Sequence, residues 1–223
     1  MTKALVVLSG GQDSVTCLFW AMKQFDEVEA ISFSYGQRHT TELECAAAIC
    51  VTHQISQKVV DLTAVMSLSR SALLDTTSDI GAAHVGNKDL PASFVPNRNA
   101  MMLTAAHAWA QTIGAETLVT GVCQTDYSGY PDCREQFIRA LQDVLNLGSG
   151  ALIEIQTPLM YLNKAETFKL AADLGCLDDV IVDSHTCYNG DRTQIHDWGY
   201  GCGECPACKL RAAGWAEYME MPK

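Results

Sequence analysis

Six consecutive residues, Ser9-Gly10-Gly11-Gln12-Asp13-Ser14, stand between the apolar runs KALVVL (3–8) and VTCLFW (15–20). Glycines can take positive φ and let backbone N–H groups approach a ligand closely. Ser9 and Ser14 add hydroxyl donors, and a helix beginning near Asp13 aims its free amides and positive dipole end at the same point. That is the composition of an anion nest for phosphate oxygens. The same residues also make an ordinary strand-to-helix turn with Asp13 or Ser14 as N-cap. The stretch is neither a Walker A loop nor a dinucleotide fingerprint, because no Gly-Lys-Ser/Thr and no G-x-G-x-x-G is present. A second constellation lies near the end of the chain: Cys202-x-x-Cys205-x-x-Cys208, with Cys187 upstream. Four thiolates at knuckle spacing, with Gly201, Gly203 and Pro206 to let the backbone fold around an ion, predict a tetrahedral metal site. An iron–sulfur cluster accepts the same ligands; a closed four-thiolate shell without an open position favours structural zinc.

Further polar residues cluster where apolar runs end. Tyr35, Gln37, Arg38 and His39 follow one such run and read as a ligand-facing loop, or as a solvated one. Arg98 and Asn99 open a helix; an arginine in a cleft suits phosphate or carboxylate, and elsewhere it is a structural ion pair. Asp126, Tyr127, Ser128, Tyr130, Asp132 and Arg134 combine flat aromatic walls with hydrogen-bonding groups, which suits a purine-like heterocycle. Asp132, next to Pro131, also reads as a cap for the following helix. Lys164 begins a helix, where a cation opposes the dipole, so a nearby anion is expected. The six histidines show no metal spacing, although His39 or His185 could line a site. Met101, Met102 and Trp109 read as core.

These residues need elements to position them. Apolar runs and helical periodicities alternate: strands at 3–8, 28–33, 58–62, 117–121 and 152–156, helices at 14–25, 41–53, 97–113, 134–147 and 164–174. The helix at 97–113 is apolar nearly all round and is expected to be largely buried, with Gly114 closing it. Alternation of this kind implies an α/β fold, a parallel sheet covered by helices on both faces, with ligands bound beyond the carboxyl ends of the strands at the topological switch point. Residues 1–180 are expected to form that domain and 181–223 a small C-terminal metal-binding segment packed on it. The stretch Ser67–Leu90 lacks periodicity and reads as a long loop or lid.

Composition excludes several classes. The chain has 223 residues, 48% hydrophobic and 18% charged, enough for a substantial core, and its net charge of −11 argues against non-specific nucleic-acid binding. The opening MTKALVVLSGG lacks the regions of a signal peptide, and no apolar stretch is long enough to span a bilayer. The ten cysteines therefore read as reduced thiols and metal ligands, not as a disulfide framework. A soluble, cytoplasmic protein without membrane or direct nucleic-acid partners is expected.

SGGQDS (9–14) resembles the S-G-G-x-D-S pyrophosphate loop of the ATP-pyrophosphatase superfamily, enzymes that cleave ATP between its α- and β-phosphates. FSYGQRHTTELE (33–44), FVPNRNAMMLTAAHAWA (94–110), TGVCQTDYSGYPDCREQFIRAL (120–141) and TPLMYLNKAET (157–167), with the terminal cysteines, are similar to one branch, the 7-cyano-7-deazaguanine synthase family, from Lys3 to about Tyr218. Asn97 stands where that family's pattern has a Gly, Ser34 where an Asp is frequent, and the spacer from Cys187 to Cys202 is longer.

The resemblance implies a Rossmann-like, adenine nucleotide alpha hydrolase-like fold. ATP, held with Mg²⁺, would lie against Leu8, Ser9, Gly10, Gly11, Gln12, Asp13, Ser14, Val15, Thr16, Cys17 and Leu18. Catalysis would fall to Asp13, Ser14, Arg98 and Lys164. Substrate contacts would come from Tyr35, Gln37, Arg38, Asn99, Asp126, Ser128, Tyr130, Asp132 and Arg134, and one structural zinc would sit on Cys187, Cys202, Cys205 and Cys208. The implied reaction turns 7-carboxy-7-deazaguanine, ammonium and ATP into the 7-cyano product by adenylating first a carboxylate and then an amide oxygen, a step of queuosine biosynthesis. A homodimer is the family-level expectation. No residue stands out as the base; Asp126, Asp132 and His39 are candidates. A tRNA thiolation enzyme would need an RNA-binding surface that the net charge disfavours. A non-catalytic zinc-ribbon protein would have no use for an intact loop.

Overall fold

The computed structural model describes residues 1–69, 71–74, 83–84, 87–125 and 130–222. Strand β1 (Lys3–Val7) is fully buried at Ala4, Leu5 and Val6, as a strand covered on both faces must be. It pairs in parallel with β2 (Glu27–Ser34) on one side and β6 (Thr117–Val119) on the other. The edges are β3 (Ser56–Asp61) and β7 (Glu154–Gln156), also parallel, giving the order β3-β2-β1-β6-β7. The order reverses between β1 and β6, so the crevice beyond their carboxyl ends is the switch point.

Period-2 alternation sends β1 side chains to two cores. Ala4 and Val6 pack against α1 (Gln12–Gln24), α2 (Thr41–Thr52) and α6 (Lys164–Leu174). Leu5 faces α4 (Arg98–Ile113) and α5 (Glu135–Ser149). Helices thus cover both faces. The first core also takes in Cys187, Trp198, Cys205 and Cys208, so the C-terminal segment, with α7 (Pro206–Glu220), is continuous with the sheet's own core. Helix α7 lies along α6, where a Cβ at Gly214 would come within 3.1 Å of the Lys164 backbone carbon.

Two expectations change. Helix α4 is buried only through Leu103, Ala106, His107 and Ala110, while Thr104, Ala108, Gln111 and Thr112 face solvent. Its small Ala and Thr side chains leave one side of the helix open to solvent while the other packs on the sheet. Asp132 does not cap the helix that follows it: its Oδ2 accepts from the Asn99 amide (3.0 Å), one of the orphan donors of α4. Asn97, standing where the family has Gly, has φ of 56°, a left-handed conformation that Asn tolerates better than other side chains.

Within the expected 67–90 loop, α3 (Thr63–Met66) runs up to its start, and the two-residue β4 (Ala83–His84) pairs antiparallel with β5 (Asn87–Pro91). Residues 70, 75–82 and 85–86 lie outside the described residues, as do Asp126, Tyr127 and Ser128 of the expected substrate wall. A second small hairpin joins β8 (Ile195–His196) to β9 (Gly199–Tyr200). Among the described residues no helix is long and apolar enough to cross a membrane.

Candidate active site

A cavity of about 320 Å³ opens at the switch point. Its floor is the turn from β1 into α1, and this turn is tied together by Ser14. The Ser14 hydroxyl donates to the Gly11 carbonyl (3.0 Å) and accepts from the amides of Ser9 (3.1 Å) and Gly10 (3.2 Å). Gly11 N–H in turn donates to Ser9 Oγ (3.2 Å). Only Gly10 has positive φ, +93°; Gly11 sits at −80° as the N-cap of α1, and neither Asp13 nor Ser14 fills that position. A Cβ at Gly10 would collide with the carbonyl oxygen of Glu42, so the close approach that demands glycine here is to α2. Gly121, after β6, is needed for the same reason: its Cβ would lie 3.0 Å from the Asp13 backbone carbon.

Two charged groups flank this floor. Lys164 Nζ lies 2.6 Å from Asp13 Oδ2, so the cation at the start of α6 has a protein carboxylate as its anion. The helix itself is capped by Asn163 and Glu166 in a reciprocal box. Among the described residues, Asp13 Oδ1 is buried without a hydrogen-bond partner, as are both amide atoms of Gln12. An unpartnered carboxylate oxygen beside a phosphate-type loop suits a hard cation. Arg211 of α7 also reaches the cavity wall. It is 1% exposed, donates to Thr186 Oγ1 (3.1 Å) and the Val180 carbonyl (2.6 Å), and burial pushes its pKa down to about 10, opposed by Asp13.

Another part of the lining is aromatic. Arg98 lies 6.0 Å from the Tyr35 ring centroid and 5.9 Å from that of Tyr130, within cation–π range. Tyr130 is held by a 2.6 Å hydrogen bond to Ser93. Gln37 Oε1 accepts from the Tyr35 amide (2.8 Å) and shapes the loop after β2. Burial works against the charge on Arg98, but Tyr35, Tyr130 and Asp132 together hold its pKa above the usual value. Glu42 shares this wall, and burial raises its carboxyl to about 7, with Arg98 opposing.

The structure brings most of the expected residues to the cavity: Leu8, Ser9, Gly11, Gln12, Asp13 and Ser14 on the floor, and Tyr35, Gln37, Arg38, Arg98, Asn99, Tyr130 and Lys164 around it. Gly10, Val15, Thr16, Cys17 and Leu18 lie behind the floor, the last four fully buried in α1. Asp132 and Arg134 are not on the wall. The first is buried against α4, and the second is exposed at the N-cap of α5. His39 lines the cavity, whereas His185 is completely buried and donates its amide to the Gly10 carbonyl (2.9 Å).

Glu42, Thr186, Tyr188 and Arg211 also line it and were not anticipated. Glu42 in the first turn of α2 reads from sequence as dipole compensation. Arg211, three residues after Cys208, carried the better signal: one helical turn relates it to a metal ligand.

The four cysteines converge. One Sγ from each of Cys187, Cys202, Cys205 and Cys208 lies within 4.8 Å of the others, and the Cys202–Cys208 and Cys187–Cys205 pairs are 4.0 Å apart. Four ligands about 2.3 Å from a central ion would stand at comparable separations, so the cluster fits a tetrahedral metal. Amides already point at the sulfurs, Cys205 N–H at Cys202 and Cys208 N–H at Cys205. Hydrogen bonds from Cys205 and Cys208 hold the Cys187 thiol well below the usual range.

Comparison with known proteins accords with this geometry. The family model described as "Queuosine biosynthesis protein QueC" matches residues 3–219. The chain is 55% identical over 217 residues to 7-cyano-7-deazaguanine synthase of Wolinella succinogenes, covering 97% of this chain and 93% of that one. It is 51% identical over 216 residues to the enzyme of the same name from Helicobacter pylori strain HPAG1, covering 96% and 95%. Among solved structures, NMN synthetase from Francisella tularensis shares the fold at 17% identity, with a TM-score of 0.51 over 88% of this chain and 70% of that one.

Proposed function

From the premise that the chain belongs to the queuosine biosynthesis protein QueC family, we propose that it is a C–N bond-forming ligase that makes 7-cyano-7-deazaguanine from 7-carboxy-7-deazaguanine, ammonium and ATP. The observation that carries this reading is one cavity holding a phosphate-type loop on its floor and a cation between aromatic rings on its wall.

A carboxylate is a poor electrophile, so its oxygen must first be activated. The Ser9–Ser14 loop, its α1 amides and Lys164 bind the β- and γ-phosphates while the substrate oxygen attacks the α-phosphorus and pyrophosphate departs. Asp13 would hold Mg²⁺ through its unpartnered Oδ1, and that ion supplies charge neutralisation at the departing phosphates. Ammonia displaces AMP from the acyl carbon to form the amide. A second adenylation, now of the amide oxygen, followed by loss of an N–H proton and of AMP, leaves the nitrile. Arg98 orients the carboxylate, and Tyr35 and Tyr130 stack on the heterocycle. Asn99, Gln37 and Arg38 complete the wall, while Asp132 acts through Asn99.

We assign one structural zinc to Cys187, Cys202, Cys205 and Cys208, residues 1–180 to the catalytic domain and 181–223 to the segment that carries the metal. The active species is taken as a cytoplasmic homodimer. Incubation with all three substrates should release pyrophosphate and form the nitrile; ADP as the direct nucleotide product would overturn adenylation. Elemental analysis should find about one zinc per chain, whereas iron with labile sulfide would overturn the zinc assignment.

A further inference from the structure

Two carboxylates line the cavity among the described residues, Asp13 and Glu42. Asp13 is paired with Lys164 at 2.6 Å. The Glu42 side chain makes no hydrogen bond and no ion pair with any described residue, although it lines the cavity with Tyr35, Arg98, Tyr130 and Tyr188. Its backbone is fixed beside the loop, because its carbonyl lies where a Cβ at Gly10 would be, in the first turn of α2. A partly buried carboxylate without a donor is costly, and burial has raised this one to about 7. Such a group is stable in a site only if a ligand brings donors to it.

The rest of the wall restricts what that ligand presents. Tyr35, Tyr130 and Tyr188 offer flat apolar faces, and the Arg98 guanidinium offers donors only. Glu42, when ionised, offers acceptors only. A planar heterocycle with an anionic or carbonyl substituent on one edge and adjacent N–H donors on another satisfies both. A guanine-like ring has those donors at its ring N–H and its 2-amino group. Among the described residues, Asp132, the other carboxylate expected at the heterocycle, is engaged with the α4 amide of Asn99.

We propose that Glu42 is a specificity-determining residue that reads the guanine-like edge of the substrate, its two carboxylate oxygens accepting from the ring N–H and the 2-amino group. The proposal rests on the function proposed above. It also divides the charges of the cavity between two ligands, with Asp13 and Lys164 serving the nucleotide and Arg98 and Glu42 the heterocycle.

Calorimetric titration of the metal-loaded full chain with 7-carboxy-7-deazaguanine, and with its analogue lacking the 2-amino group, tests this. The wild-type protein should prefer the parent by at least about tenfold, the scale of a hydrogen bond to a charged group. In Glu42→Gln, affinity for the parent should fall by a similar factor and the preference should collapse towards one. ATP affinity should stay within about twofold, because the isosteric change leaves the Glu42 carbonyl against Gly10 and the Asp13–Lys164 pair in place. A preference retained in Glu42→Gln would overturn the proposal, as would a variant that loses ATP affinity alone. Should Glu42→Gln not fold, equal wild-type affinity for parent and analogue would overturn it. Wild-type protein that turns over the parent without any 2-amino preference removes only the role of Glu42; wild-type protein that binds neither compound removes the proposed function as well.

Discussion

The two ends of the cavity treat charge in opposite ways. At the floor, Asp13 and Lys164 are already paired at 2.6 Å, and Ser14 already holds the amides of Ser9 and Gly10. On the aromatic wall, Glu42 and Arg98 line the same space without forming an ion pair, and the arginine rests on tyrosine rings. A paired site is preorganised and asks little reorganisation of itself when a polyanion arrives. An unpaired site is less stable empty and gains most from the one ligand that supplies both missing partners. The nucleotide end is thus built for catalysis common to a superfamily, and the wall for discrimination.

Both ends lean on the cysteine segment, since Thr186 and Arg211 border the floor and Tyr188 the wall. The largest effect is therefore expected from Cys205→Ser. With metal-binding energy lost as folding energy, the melting midpoint should drop by roughly 10 °C or more, and nucleotide and heterocycle binding should fail together. Thermal melts with parallel metal analysis check this; loss at one end only would break the claim of shared support.

Asp13→Ala should act on the floor alone. Turnover should fall by about a thousandfold, the scale of removing a preorganised electrostatic contact, while heterocycle binding stays near wild type. Pyrophosphate release and calorimetry separate the two.

Arg98→Lys should act on the wall alone. A lysine keeps the charge but loses the planar fork and the stacking on Tyr35 and Tyr130. An increase of about ten- to a hundredfold in KM for the carboxylate substrate is expected, with KM for ATP unchanged; equal changes in both would merge the two ends.

The smallest effect sharpens the idea of an unpaired wall. Burial raises the Glu42 carboxyl from 4.5 to about 7, with Arg98 of α4 opposing and Cys187 adding to the rise. Tyr35, Tyr188 and Cys45 face the same charge. The folded state therefore holds a proton that the unfolded state has lost between those two values, so stability declines as pH rises from about 4.5 to 7. Glu42→Gln removes that decline and should gain on the wild type between pH 5 and pH 8. Urea denaturation of both proteins at the two pH values measures it, and parallel curves would show that Glu42 is not destabilised when empty.

What was legible in the chain follows the range of the interaction. The loop at 9–14 is contiguous, so its donors, its glycines and its place between strand and helix are all visible in one window. The parallel α/β class came from alternating periodicities, and the metal cluster from local spacing of three of its four cysteines. Strand edges, the burial of α4 and the partner of Asp132 were not visible, because each depends on which element packs alongside. Gly10 is instructive: its residue type was readable, but the reason for it, a carbonyl of α2, lies on another element.

By itself the amino-acid sequence determined the class of fold, the phosphate loop and the thiolate set, all carried by neighbours along the chain. Only the tertiary structure decided that β1 and β6 open the crevice at the switch point, that Lys164 meets Asp13 across 151 residues, and that Glu42, unpaired among the described residues, lines the same cavity as Arg98. Propensity and periodicity act over a few residues, whereas the pairing of buried charges is settled by distances that exist only once the helices have packed on the sheet.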